Sequence, residues 1–140
     1  MISKDSKSIH DLYSTGEDFE QMNYDGVGAY PYAKYRMKMV LEVLEKHSCD
    51  KILDLGCSTG RVVRDWIMLG RQGEGIDFSE DLISQGRKKM EQANIDSNCL
   101  SVGDVRDLSK IESDTYDAVL ALGLHPFMSA EEELKNYNDT

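Results

Sequence analysis

The sequence predicts an α/β domain around a mainly parallel sheet, and three observations carry that prediction. Short apolar runs alternate with segments whose apolar residues return at helical spacing, the pattern of repeated strand–helix units. Gly56 and Gly103 each follow an apolar run, at points where a strand must turn into the next segment. The run from Ala118 to Leu122 is apolar throughout, as expected of a strand covered on both faces. Units of this kind join parallel strands by right-handed crossovers.

Residues 1–28 read as an extended or weakly structured lead-in, because their apolar residues follow neither period, and residues 29–140 form the domain. Pro31 punctuates the chain ahead of a helix, since the residue before a proline avoids the helical region. Over 33–47, Met37, Val40, Leu41 and Leu44 fall at i, i+3, i+4 and i+7 on one helix face. Lys51-Ile52-Leu53-Asp54-Leu55 is short and ends at Gly56, which favours a buried strand. Val62, Val63, Trp66 and Ile67 predict a helix over 61–69, stopped by Gly70. A second strand follows over 73–78. Ser79 then caps a helix running to about 93, with Asp81 in its first turn and Leu82, Ile83, Gly86 and Met90 on its inner face. Residues 99–102 and 116–122 supply the third and fourth strands, and Ser129 with Glu132 matches a capping box for a last helix.

Composition narrows the function classes. At 140 residues the chain can bury one real core, and 40% apolar with 30% charged residues is ordinary for a globular protein. The net charge of −10 repels phosphate backbones, so nucleic acid is a disfavoured partner and a small or medium-sized substrate is favoured. The polar start has no apolar run for a signal peptide, and no stretch approaches a membrane span. Cys49, Cys57 and Cys99 are odd in number and widely spaced, against a disulfide framework or a zinc site and in keeping with a reducing cytoplasm.

The most informative stretch is ILDLGCSTGRV, Ile52 to Val62. A strand, a tight glycine turn and a helix start point backbone N–H groups and a positive helix end into the crevice beyond the strand. A phosphate-cradling loop needs GxxxxGK, but here the glycines are four apart and Arg61 follows Gly60. A dinucleotide fingerprint needs GxGxxG, and Ser58 and Arg61 hold its second and third glycine positions. A glycine corner for a ligand without pyrophosphate remains, beside the plainer reading of a turn in any α/β protein.

Asp54-Leu55-Gly56-Cys57-Ser58-Thr59-Gly60 resembles motif I of the class I S-adenosylmethionine-dependent methyltransferases, an acid, any residue, then G-x-G-x-G, with Ser58 in place of the middle glycine. The resemblance implies a Rossmann-like fold and S-adenosylmethionine as cofactor, held by Asp54, Gly56, Cys57, Ser58 and Gly60. Asp77 ends the second strand about 20 residues past the loop, where a carboxylate can accept from both ribose hydroxyls. An aspartate that only precedes a helix is the alternative. In the resembled family this is the ribose position, and Phe78 follows it. Asp104 with Gly103 is, taken alone, a turn; the resemblance implies that Asp104 accepts from the adenine amino group, with Val105 supplying a backbone N–H and an apolar wall. Tyr116-Asp117-Ala118-Val119-Leu120 resembles the family's fourth strand. The following residues, Leu122 and Gly123-Leu124-His125, then lie beside the methionine part of the cofactor and the acceptor.

Methyl transfer from a sulfonium needs nucleophile, methyl and sulfur in line, and some acceptors need a base as well. His125 is the candidate base, against the alternative of a loop histidine bonded to backbone. Arg36 can pair with the cofactor carboxylate or stand solvated on its helix. The resembled fold has seven strands and four are legible here, which implies a domain incomplete at its C-terminus, strand order 3-2-1-4, and an exposed fourth edge inviting a partner chain or self-association. Two function readings follow: a methyltransferase with an unidentified acceptor, and a non-catalytic cofactor-binding or interaction module that needs a partner. A dinucleotide oxidoreductase is disfavoured by Ser58 and Arg61.

Overall fold

A computed structural model describes residues 18–26, 31–111 and 115–122. Its sheet has four strands, β1 (Lys51–Leu55), β2 (Gln72–Asp77), β3 (Leu100–Val102) and β4 (Ala118–Leu120), in the order β3-β2-β1-β4. Every pairing is parallel. The register sets Leu55 beside Ile76, and Asp77 beside Val102, so the strand ends that carry Gly56, Phe78 and Gly103 share one rim of the sheet. This is the Rossmann-like arrangement expected from the sequence.

Between the strands lie α1 (Pro31–Lys46), α2 (Arg61–Met68) and α3 (Glu80–Gln92). Met37 and Leu44 of α1 pack with Val62 and Trp66 of α2 on Ile52, while Val63 of α2 meets Ile83 and Met90 of α3 beside Leu100. These clusters share one sheet face, because paired residues in parallel strands point to the same side. The opposite face buries Leu53 and Leu55 under Val105 and Leu108, with Ile111 and Tyr116 packed against them. Asp117 fixes the start of the β1–β4 pair: its carboxylate accepts from the N–H groups of Asp50 at 2.8 Å and Lys51 at 2.9 Å.

The predicted inner face of α3 is the observed one, with Leu82, Ile83, Gly86 and Met90 buried, and the Ser79 hydroxyl accepts from the Leu82 N–H at 3.2 Å as its cap. Two expectations differ. β4 is shorter than the 116–122 run, and Val119 stays 37% exposed, so among the described residues it is not covered on both faces. Tyr116 lies ahead of β4, and its hydroxyl donates to the Glu74 carboxylate. The lead-in contains a π-helical turn, Gln21–Asp25. The carboxylate of Asp18 starts it, accepting from the N–H groups of Glu20 and Gln21 at 3.0 and 3.2 Å. Tertiary contacts hold it, and an apolar period does not reveal them.

Candidate functional site

The glycine corner is built from left-handed backbone. Gly56, Ser58 and Gly60 have φ of 71°, 55° and 74°. Ser58 thus keeps the conformation that a glycine would favour at the middle position of the motif, at a cost of order 1 kcal/mol. The N–H groups of Gly56 and Cys57 donate to the Ile76 carbonyl at 2.8 and 3.0 Å, which locks the corner to β2. A Cβ at Gly60 would lie 2.6 Å from Leu100 Cδ2, so glycine is required there for space as well as for φ. Gly86 matters for the same reason of close approach: a Cβ would lie 2.2 Å from the Thr59 carbonyl oxygen, and its absence lets α3 pack directly on the corner.

Asp77 is fully buried and holds the rim together. Its carboxylate accepts from the Ser58 N–H at 2.8 Å and the Ser79 N–H at 3.0 Å, and its carbonyl accepts from Gly103 at 2.9 Å. Three strand ends therefore meet at one residue. Asp104 stands just past the neighbouring strand, two residues beyond Val102. Burial pushes its carboxyl up, but the hydrogen bonds and charge of Arg106 outweigh that and hold it below the ordinary carboxylate value. The Arg106 guanidinium also lies over the Phe78 ring, 5.1 Å from the centroid.

Asp54, at the C-terminal end of β1, is the electrostatic oddity. It is buried, its Oδ1 has no hydrogen-bond partner among the described residues, and burial together with the neighbouring Asp77 charge pushes its carboxyl up to about 7. A buried acceptor left unmet is costly, and a cationic donor reaching it would remove that cost. Tyr24 lies near enough to feel Asp54; burial first, then Asp54, push its phenol up to about 12.

The structure thus brings Asp54, Gly56, Cys57, Ser58, Gly60, Asp77, Phe78 and Asp104 to one rim. The Val105 side chain is buried on the opposite sheet face with Leu53 and Leu55. Leu122 lies two residues past Leu120, the partner of Asp54 in β1, and packs on the α1 cluster around Ile52 and Trp66. The Cys57 thiol is buried and its pKa is raised well above the ordinary value, mainly by burial, leaving it an inert packing group. His125, and the helix start at Ser129 and Glu132, lie outside the described residues.

Sequence reasoning missed a buried clasp beside the corner. Glu20, 1% exposed, receives Arg61 at 3.0 Å and both terminal nitrogens of Arg64, one at 2.8 Å. Arg61 also reaches Asp25 at 2.7 Å. The one legible signal was the i, i+3 spacing of the two arginines on α2; nothing in the polar lead-in marks Glu20 as their partner.

Residues 52–138 match a family described as a methyltransferase domain. Among curated relatives, the demethylmenaquinone methyltransferase of Bacillus cereus strain AH187 is 29% identical over 127 residues, covering 85% of this chain and 51% of that protein. The chain therefore spans about half the length of the curated relatives it matches. Among solved structures, magnesium protoporphyrin IX methyltransferase from Synechocystis PCC 6803, crystallised with S-adenosylmethionine, superposes with a TM-score of 0.73 at 16% identity, over 99% of this chain and 71% of that one. A protein from Pyrococcus horikoshii OT3 gives a TM-score of 0.66 at 22% identity, over 92% and 58%. Both likenesses bear on the fold. With the family match covering more than half of its length, and with the motif order and the strand order in agreement, the chain belongs to the methyltransferase-domain family, of the class I S-adenosylmethionine-dependent type.

Proposed function

We propose that this chain binds S-adenosylmethionine along the rim formed by Asp54, Asp77 and Asp104, and that it forms the cofactor-binding part of a methyltransferase acting on an unidentified small or medium-sized acceptor. One observation carries the reading: the buried, unpartnered Oδ1 of Asp54 beside a second buried carboxylate, a site that favours a cation. The cofactor supplies an activated methyl on a positively charged sulfur, and its amino-acid end adds an ammonium. Asp54 would receive that ammonium, Asp77 the ribose hydroxyls, Asp104 the adenine edge, and the corner of Gly56, Ser58 and Gly60 would admit the cofactor without a clash. The protein's own work is to orient the cofactor and exclude water around it.

Titration of the chain with S-adenosylmethionine and S-adenosylhomocysteine, with NAD as the control, tests the assignment. Both sulfur ligands should release heat and NAD should not; a response to NAD alone would end it. Asp77→Ala should cut affinity at least tenfold, because it removes the ribose acceptor and unties the Ser58 and Ser79 N–H groups (about 1.4 kcal/mol per tenfold).

His125 belongs to the same proposal as the base for a proton-bearing acceptor. His125→Ala should slow methyl transfer and leave cofactor affinity intact, and an unchanged rate removes it from that role. The second reading is a non-catalytic module that needs a partner chain. Methyl transfer by the chain alone would dispose of it. Residues 29–140 form the cofactor-binding domain in either reading, with residues 1–28 ahead of it. The free thiols of Cys49, Cys57 and Cys99 support a reducing compartment such as the cytoplasm.

A further inference from the structure

Arg106 touches two of the residues assigned to the adenine end of the rim, Asp104 and Phe78. Its Nε lies 3.0 Å from Oδ1 and 3.2 Å from Oδ2 of Asp104, and its Nη2 lies 2.9 Å from Oδ2. The same guanidinium sits over the Phe78 ring, 5.1 Å from the centroid. A guanidinium is planar, donates from its edge and stacks by its face. Adenine makes the same demands of a site, with an amino donor on its edge and an aromatic face to stack. We propose that Arg106 occupies the adenine seat between Phe78 and Asp104, and that it leaves this seat when the cofactor binds. One side chain outside motif I then sets the affinity for adenosine.

The surroundings suit a placeholder. The side chains of Asp104 and Arg106 are 38% and 32% exposed, so solvent screens their pairing and little is lost when it opens. The Arg106 backbone N–H separately donates to Asp104 Oδ1 at 2.8 Å, which keeps the carboxylate aimed after the side chain has gone. Exposure gives the long arginine stem a way out to solvent without moving β3. The exchange is like for like in the kind of contact: Asp104 swaps one planar donor for another, and Phe78 swaps one group over its ring for another. Arg106 therefore acts as a positioning and gating residue, and it competes with the cofactor for the same two partners.

This inference rests on the adenosine reading of the rim, and the variants separate the two. The chain is titrated with S-adenosylhomocysteine at low and high salt, as the parent and as Arg106→Ala, Arg106→Lys, Asp104→Ala and Phe78→Ala. Arg106→Ala should bind about fivefold tighter, the equilibrium worth of a partly exposed ion pair. Parent affinity should rise with salt towards that of Arg106→Ala, while the variant changes little. Arg106→Lys should fall between them, since it keeps the charge and loses the planar fork. Arg106→Ala binding no tighter than the parent, while Asp104→Ala binds more weakly, overturns the placeholder and leaves the adenosine reading standing. Unchanged binding in Asp104→Ala and Phe78→Ala overturns both. A readout within the parent guards against an altered fold in the variants: the Arg106 Nε–H proton should exchange faster after S-adenosylhomocysteine is added than in the free chain, and an unchanged exchange rate counts against displacement.

Discussion

Asp54 concentrates the chemistry of the crevice in one carboxyl group. Its ordinary value of 3.8 is pushed up to about 7, first by burial and then by the charge of Asp77. Between those two values the folded chain holds a proton that the unfolded chain has released, so stability falls as pH rises from about 4 to about 7. A cation in the crevice reverses the preference for the protonated form, and cofactor affinity should rise with pH over the same window and level off above about 7. Asp54→Asn should flatten both dependences, read as the denaturation midpoint and the calorimetric affinity between pH 4 and 8. A slope surviving in the variant would assign the titration to another group. Ser58 belongs to the same scale: the sequence shows a small residue in place of glycine, and only the φ of 55° shows that the position kept its left-handed backbone.

The clasp is a property of elements. The turn Gln21–Asp25 has no apolar stripe strong enough to fold by itself, and the residues just ahead of it are held by two helices. Glu20 grips Arg61 and Arg64 of α2, Asp18 reaches Lys89 of α3 at 3.1 Å, and the Phe19 N–H donates to Gln85 of α3 at 2.9 Å. Burial pushes the Glu20 carboxyl up, but Arg64 and Arg61 pull it below its ordinary value of 4.5. Its stabilisation is therefore present above about 4.5 and lost as pH falls below it. Glu20→Gln should cost about 1–3 kcal/mol, and most of that loss should appear as faster amide exchange over residues 18–26. Equal acceleration across β1 and β2 would mean that the clasp supports the whole domain. It lies beside the start of α2, where Gly60 precedes Arg61 with no side-chain cap and Glu20 meets both arginines of the first turn.

At the scale of the molecule, the described residues leave β4 as an edge strand with Val119 exposed on one face. An apolar edge invites pairing with another strand. The chain should therefore associate as its concentration rises, and Val119→Lys should keep it monomeric by light scattering; association unaffected by the lysine would place the contact elsewhere. The sequence by itself determined the order of strands and helices, the inner face of α3, the Ser79 cap and the glycine corner. Each depends on period, capping chemistry or backbone freedom, interactions that act within a few positions along the chain. Only the tertiary structure decided that Asp77 ties three strand ends, that Val105 turns into the core, that Glu20 meets two arginines, and that Arg106 lies between Phe78 and Asp104. Those outcomes depend on which distant side chains packing brings within about 3 Å and how much water it removes around them, and neither quantity is written in any local run of residues.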